Sequence, residues 1–138
     1  MPHIRPISLV IIINRDSVLA EQGFDSNSDT FFYRLLGGGI QQGETSSNCI
    51  KRELKEELNL HLKDINLLTV IENIFTYNGE LNHEIIFLYT ANIQDKDEYD
   101  KKIIHRIDKS ESFAEWISIN SIKSGDITLF PHGAEKHI

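Results

Sequence analysis

Glu53, Glu56 and Glu57 crowd three carboxylates onto one helical turn beside Arg52, inside the run GGIQQGETSSNCIKRELKEELNL from Gly38 to Leu60. Side chains three and four apart on a helix are neighbours, so each like-charged pair costs roughly a few tenths of a kcal/mol. A sequence selected for folding alone has little reason to keep them together. A hard divalent cation reverses the sign of that cost, because Mg²⁺ or Mn²⁺ takes oxygen ligands and sits between protein carboxylates and substrate phosphates. The chemistry implied is metal-assisted reaction at a phosphate-bearing substrate.

The competing explanation is a solvated charged face in which Arg52 pairs with Glu56, and Lys51 pairs with Glu53 or Glu57. The segment upstream weighs against it. Thr30 to Leu36 reads as a strand that runs straight into Gly37-Gly38-Gly39, where glycine permits backbone conformations closed to other residues. Gly43-Glu44 then leads into Thr45 and Ser46, either of which can cap the first free amides of a helix extending to about Leu58. Strand, glycine loop and helix start together bring a backbone carbonyl and backbone amides beside the acids. On a helical wheel Ile50, Leu54 and Leu58 form a narrow core stripe, Lys51 and Lys55 face solvent, and the glutamates occupy a sector of about 100°. Cys49 falls in the acidic sector and reads as a small packing residue under the glycine loop, without chemistry of its own.

The remaining elements must hold this unit in place. Ser8 to Ile13 and Val18 to Glu21 read as a hairpin around the turn cluster Asn14-Arg15-Asp16-Ser17, and Gly23 to Thr30 as a polar loop. Ile65 to Tyr77 and Glu84 to Ile93 are further strands joined through Asn78-Gly79, with Glu80-Leu81-Asn82 pointing to a longer loop. Gln94 to Glu111 is a charged connection, Ser112 to Ile119 another strand, and Ser121 to Gly125 a short helix or turn before a tail with Phe130-Pro131-His132-Gly133. Strands around one early helix, with another helix late, indicate an α+β chain built as an α/β sandwich around a mixed sheet, in a single domain covering residues 1–138.

A chain of 138 residues supports one core without covalent staples. The net charge of −7 argues against a broad phosphate-backbone contact, so no stable nucleic-acid partner is expected, and an anionic substrate needs a metal's help. Cys49 is the single cysteine, which excludes an internal disulfide and fits a reducing, cytoplasmic setting. The apolar run Ile7 to Ile13 is too short to span a bilayer, and no membrane association is expected.

The residues from Gly38 to Leu60 resemble the signature of the Nudix hydrolases, GX5EX7REUXEEXGU, where U is a bulky aliphatic. Gly38 supplies the first glycine, Glu44 the first acid, Arg52-Glu53-Leu54 the REU, Glu56-Glu57 the acid pair and Leu60 the last aliphatic. Asn59 stands in place of the last glycine, and Asn is the residue after glycine most tolerant of the left-handed conformation that ends a helix. The resemblance implies a Nudix-like α/β/α sandwich and hydrolysis of a diphosphate linkage in a nucleoside diphosphate joined to another group, with Mg²⁺ or Mn²⁺ required. It implies that Glu56 and Glu57 are metal ligands, that Glu53 is a further ligand or the group that activates water, and that the Gly38 carbonyl is an additional oxygen ligand. Arg52 would orient Glu53 and Glu44. It also implies a small-molecule nucleotide substrate, and the apolar strands leave room for a homodimer.

An extra carboxylate from outside this motif has several candidates: Glu84 beside His83, then Asp95, Asp97, Glu98, Asp100, Glu111 and Glu115. Arg5 and Arg34 are candidates to meet phosphate, and Phe31, Tyr33, Phe75 and Tyr77 to stack on a base. The second functional class consistent with the sequence is a catalytically silent nucleotide sensor or interaction module of the same fold. The intact acids count against it.

Overall fold

A computed structural model describes residues 3–108 and 111–138. The strands are β1 (Arg5–Ile11), β2 (Ile13–Asn14), β3 (Ser17–Asp25), β4 (Thr30–Gly39), β5 (Leu62–Tyr77), β6 (Glu80–Ile93), β7 (Ile103–His105), β8 (Phe113–Ser118) and β9 (Leu129–Phe130). The helices are α1 (Ser46–Leu58) and the short α2 (Ile119–Ser124), with 3₁₀ turns at Lys96–Asp100 and Ala134–His137. The main sheet runs β5-β6-β1-β4-β3-β8-β7, with β2 added to β3 and β9 to β4. It is mixed: β1 pairs parallel with β6 and β4 parallel with β9, while the remaining pairs are antiparallel. This is the mixed α+β architecture expected from the element order.

Alternation along β1 sends side chains to both faces, and both faces are covered. Val10 joins Leu19 and Leu36 against Ile50, Leu54 and Leu58 of α1, whereas Ile7, Leu9 and Ile11 pack with Ala20, Leu35 and Ile117, and with Ile122 of α2. Burying three large aliphatics contributes about 1.5–3 kcal/mol each, far more than the few tenths that each acid pair on α1 costs. The helix can therefore carry its acids without losing its seat. Two polar contacts also fix where it begins: the Ser8 hydroxyl donates to the Ser46 carbonyl at 2.8 Å, and the Ser46 hydroxyl lies 2.6 Å from that of Tyr89 on β6.

Both ends of α1 follow their local chemistry. The Thr45 hydroxyl accepts the Asn48 amide, satisfying one of the free donors of the first turn. Asn59 adopts φ 55°, donates its amide to the Lys55 carbonyl at 3.0 Å, and so performs the helix-ending role of the glycine it replaces.

Two expectations about connections need correction. The polar segment after Gly23 is not a loop throughout, because β3 continues to Asp25 and pairs with β4 up to Asp25↔Thr30. Cross-strand pairing compensates for its poor strand composition. The β5–β6 connection is also tighter than Glu80-Leu81-Asn82 imply: Tyr77 pairs with Glu80, leaving Asn78 (φ 50°) and Gly79 (φ 82°) as a two-residue turn with both residues left-handed. The charged connection after Gln94 contains a 3₁₀ turn and β7, while Lys109 and Ser110 of that segment lie outside the described residues. No helix among the described residues is long and apolar enough to cross a membrane.

Candidate functional site

Gly37 brings the end of β4 against the β1 main chain at a distance no other residue permits, and Gly38 brings it against a side chain of α1. A Cβ on Gly37, at φ 148°, would stand 1.9 Å from the Ser8 carbonyl oxygen. One on Gly38 would meet the Glu53 carboxylate at 2.5 Å. The second contact sets an acid directly against the partly exposed main chain at Gly38. Cys49 is buried beneath, with its thiol 3.5 Å from the Gly38 and Gly39 carbonyls, and it packs as expected.

Arg52 organises the acids along one side. Its Nε donates to Glu44 Oε2 at 2.6 Å and its Nη2 to Glu44 Oε1 at 3.0 Å, a two-point clasp; Nη1 reaches Glu53 and Glu56, each at 3.2 Å. A further bond from Nη2 ends on the Gly39 carbonyl at 3.1 Å. The Arg52 bonds, helped by the Gln41 amide, hold the Glu44 carboxyl down at about 2. Glu44 thus remains an anion that fixes Arg52. Of the pairings weighed for a solvated face, Arg52–Glu56 is present, but Glu53 and Glu57 are partnered by arginines and Lys51 is exposed.

Glu57 lies on the other side of Glu53, with its side chain 15 % exposed, and its carboxyl is pushed up to about 8. Burial is the main cause, and a hydrogen bond with Glu53 adds to it. Glu53 and Glu57 lie side by side, each also held by an arginine, and Gly38 packs against the Glu53 carboxylate. This donor set of hard oxygens fits a divalent cation. Glu56 is the outlier, 59 % exposed and turned toward Arg52. Among the described residues no three metal-type side chains converge on one point, since Arg52 and Arg106 each draw carboxylates toward themselves.

Arg106 and Glu21 were not among the residues singled out from the sequence. Arg106 Nη1 lies 2.9 Å from Glu21 Oε2 and 3.4 Å from Glu57 Oε2, while Nη2 lies 2.7 Å from Asp108. The Glu57 carbonyl accepts the Ile107 amide at 2.8 Å, which ties the segment after β7 to the helix. Neither residue had a local signal, because Glu21 lies within an ordinary strand and Arg106 sits in a charged connection.

Two adjoining cavities open from this point. The smaller, about 220 Å³, is lined by Gly38 and Glu57; the larger, about 490 Å³, by Phe32, Phe75, Tyr77, Phe130, Asn73 and Glu84. Arg5, Arg34, Arg106 and Glu21 line both and form the passage between them. These three guanidinium groups share the waist with Glu21, and Glu57, Glu84 and Asp25 line the cavities beside them, so the positive charge there is partly compensated. The structure therefore brings Arg5, Arg34, Glu84, Phe75 and Tyr77 together. It does not bring in Phe31 or Tyr33, nor the acids Asp95, Asp97, Glu98, Asp100, Glu111 and Glu115, which line neither cavity.

A profile of the NUDIX domain matches residues 3–135. The chain belongs to the Nudix family. Two curated relatives match over part of their length. One is the NAD-capped RNA hydrolase NudC of Photobacterium profundum, 30% identical over 64 residues, spanning 46% of this chain and 23% of that protein. The other is the mRNA-decapping protein D10 of fowlpox virus, 32% identical over 85 residues, spanning 56% of this chain and 36% of that protein. The matched regions thus span about a quarter and a third of these relatives. Among solved structures, the MutT NUDIX hydrolase of Burkholderia pseudomallei superposes with a TM-score of 0.64 at 20% identity, covering 86% of this chain and 85% of the other. The mutator MutT protein of Bacillus halodurans gives 0.66 at 18% identity, covering 96% and 78%. These two share the Nudix fold with this chain.

Proposed function

We propose that the chain is a divalent-metal-dependent hydrolase that opens a diphosphate linkage in a nucleoside diphosphate derivative. The observation that carries this reading is the half-buried Glu53–Glu57 pair against Gly38, with Glu57 and Gly38 lining a cavity that three arginines also line. The first group suits a cation and the second a polyphosphate, and they adjoin.

Glu53, Glu57 and the Gly38 carbonyl, with Glu56 at the rim, would hold Mg²⁺ or Mn²⁺. The ion supplies neutralisation of phosphate charge and an acidified water. The chain's own residues do the positioning. Arg5, Arg34 and Arg106 grip phosphate oxygens with charged hydrogen bonds, limiting the motion of the scissile bridge. Arg52, braced by Glu44, holds Glu53 in one orientation, so this acid can accept a proton from the attacking water. Glu57, whose carboxyl is pushed up to about 8, must lose its proton before it can act as an oxygen donor.

The test is release of phosphate, pyrophosphate or nucleoside monophosphate from a panel of nucleoside triphosphates, ADP-sugars and dinucleoside polyphosphates, in Mg²⁺ or Mn²⁺ and again in excess chelator. Turnover that disappears with chelator supports the reading. Tight nucleotide binding without turnover in either metal assigns the chain to a sensor instead.

A further inference from the structure

Three polar residues are buried among the described residues: Ser8, Asn73 and Glu84. Ser8 is satisfied by the Ser46 carbonyl. Asn73 and Glu84, only 8 % and 5 % exposed, have no side-chain hydrogen bond, and both line the larger cavity. Arg5 is the ion-pair partner of Glu84, but its Nη1 stands 3.8 Å away, beyond hydrogen-bond reach, on a side chain 54 % exposed. Neither side chain has its polar atoms sealed from solvent; they open into the cavity, so their hydrogen bonds are left to whatever fills it.

Their placement describes that ligand. Asn73 and Glu84 are direct cross-strand partners on β5 and β6, so their side chains leave the sheet on the same face as neighbours. Phe75 continues the same face of β5 two residues on, and Phe32 stands edge-on to both Tyr77 and Phe130. The cavity of about 490 Å³ falls within the range of small-molecule sites, about 300–1,000 Å³. A carboxylate accepts two parallel N–H donors, and a carboxamide adds one donor. Guanine presents the matching edge: N1–H and the 2-amino group as adjacent donors, and O6 as acceptor. Adenine and cytosine would set an acceptor nitrogen against the carboxylate, and uracil offers it a single N–H between two carbonyls.

We infer that Glu84 and Asn73 read the base of the substrate, and that the base is guanine. The proposal rests on the nucleotide-hydrolase reading and names its substrate class: a guanine nucleoside diphosphate derivative, with its base between the cavity aromatics and its phosphates across the arginine waist toward Glu57. Glu84 accepts N1–H and the 2-amino group, and Asn73 donates to O6. A guanine carried on capped RNA shows the same edge, but the chain's net charge of −7 opposes a polynucleotide and favours the free nucleotide.

The test is calorimetric binding of GMP, IMP, AMP, CMP and UMP to the intact protein in Mg²⁺ buffer, for the wild type and Glu84→Gln, with circular dichroism to show that the variant folds. GMP should bind at least about tenfold more tightly than IMP, which lacks the 2-amino donor, and still more tightly than AMP. Glu84→Gln should erase most of the gap between GMP and AMP, since one acceptor oxygen becomes a donor. Equal binding of all five nucleotides by the wild type would overturn the assignment without any variant. A folded Glu84→Gln that keeps the full GMP preference would overturn it as well, and a capped oligonucleotide bound more tightly than GMP would overturn the choice of a free nucleotide. Guanine selectivity without turnover would sink the hydrolase and leave this inference standing, whereas turnover without base selectivity would do the reverse.

Discussion

Two arginines bracket the Glu53–Glu57 pair, and they are recruited in opposite ways. Arg52 finds Glu44, Glu53, Glu56 and the Gly39 carbonyl within thirteen residues of itself. Arg106 reaches Glu21 across 85 positions, from a segment held to α1 by the Ile107 amide. The first network is braced by a helix and a two-point clasp on Glu44, and the second depends on the whole sheet being assembled. One should behave as a fixed scaffold for the acids, and the other as a contact that meets both Glu57 and an incoming phosphate.

Among changes that disturb the surroundings of the acid pair and not the pair itself, the largest effect should come from Gly38→Ala, which drives a methyl into the Glu53 carboxylate at 2.5 Å. Glu53 must then move away from the pair, and we expect a loss of activity on the order of 10²–10³-fold, read as kcat/KM, with the helix retained by circular dichroism. Arg52→Lys keeps the charge but cannot reproduce the clasp on Glu44. A loss of about 10–100-fold in activity, with weaker Mn²⁺ binding, is the expected outcome, because residues that orient metal ligands commonly have effects of that size. Arg106→Gln should cost about tenfold and appear mainly in KM, since it removes a phosphate contact while leaving Glu53 and Arg52 in place. If Arg106→Gln instead matched Arg52→Lys in both kcat and Mn²⁺ affinity, the contrast between scaffold and contact would fail.

The smallest of these effects is pH dependence. With its carboxyl pushed up to about 8, Glu57 holds a proton at neutral pH that a cation must displace. Mn²⁺ affinity should therefore rise with pH by up to about tenfold per unit and level off above about 8. The metal-free fold has the opposite trend: it binds a proton that the unfolded chain has already released, so this group's contribution to stability is present below the ordinary carboxylate range and lost as pH rises toward about 8. Thermal melts of wild type and Glu57→Gln in chelator, followed from acid to mildly alkaline pH, isolate this contribution as the difference between the two curves.

The same contrast explains how much was legible in the sequence. The Arg52 side rests on short-range rules: helical spacing put Ile50, Leu54 and Leu58 inward, Thr45 capped, and Asn59 took the left-handed turn. The Arg106 side rests on pairings that no local rule carries. Glu21 faces Arg106 only because β3 runs beside β4 and β8, and its strand extends to Asp25 through cross-strand bonds that its polar composition does not announce. Glu84, Arg5 and Arg34 could be named as candidates but not placed; the parallel register of β1 on β6, Arg5 opposite Glu84, is what sets two of them on one row. Phe32 and Phe130 were missed for the same reason, since β9 reaches the cavity only by pairing with β4.

The central claim is that the Glu53–Glu57 pair is a cation platform for opening a diphosphate bond, and Glu57→Gln tests it most directly. The substitution keeps size and hydrogen bonding while removing the charge that a cation needs. Measured on the best substrate of the panel in Mg²⁺, with folding checked by circular dichroism, kcat/KM should fall by at least about 10²–10³-fold, as for loss of a principal electrostatic group. A folded Glu57→Gln that hydrolyses that substrate at the wild-type rate would contradict the claim.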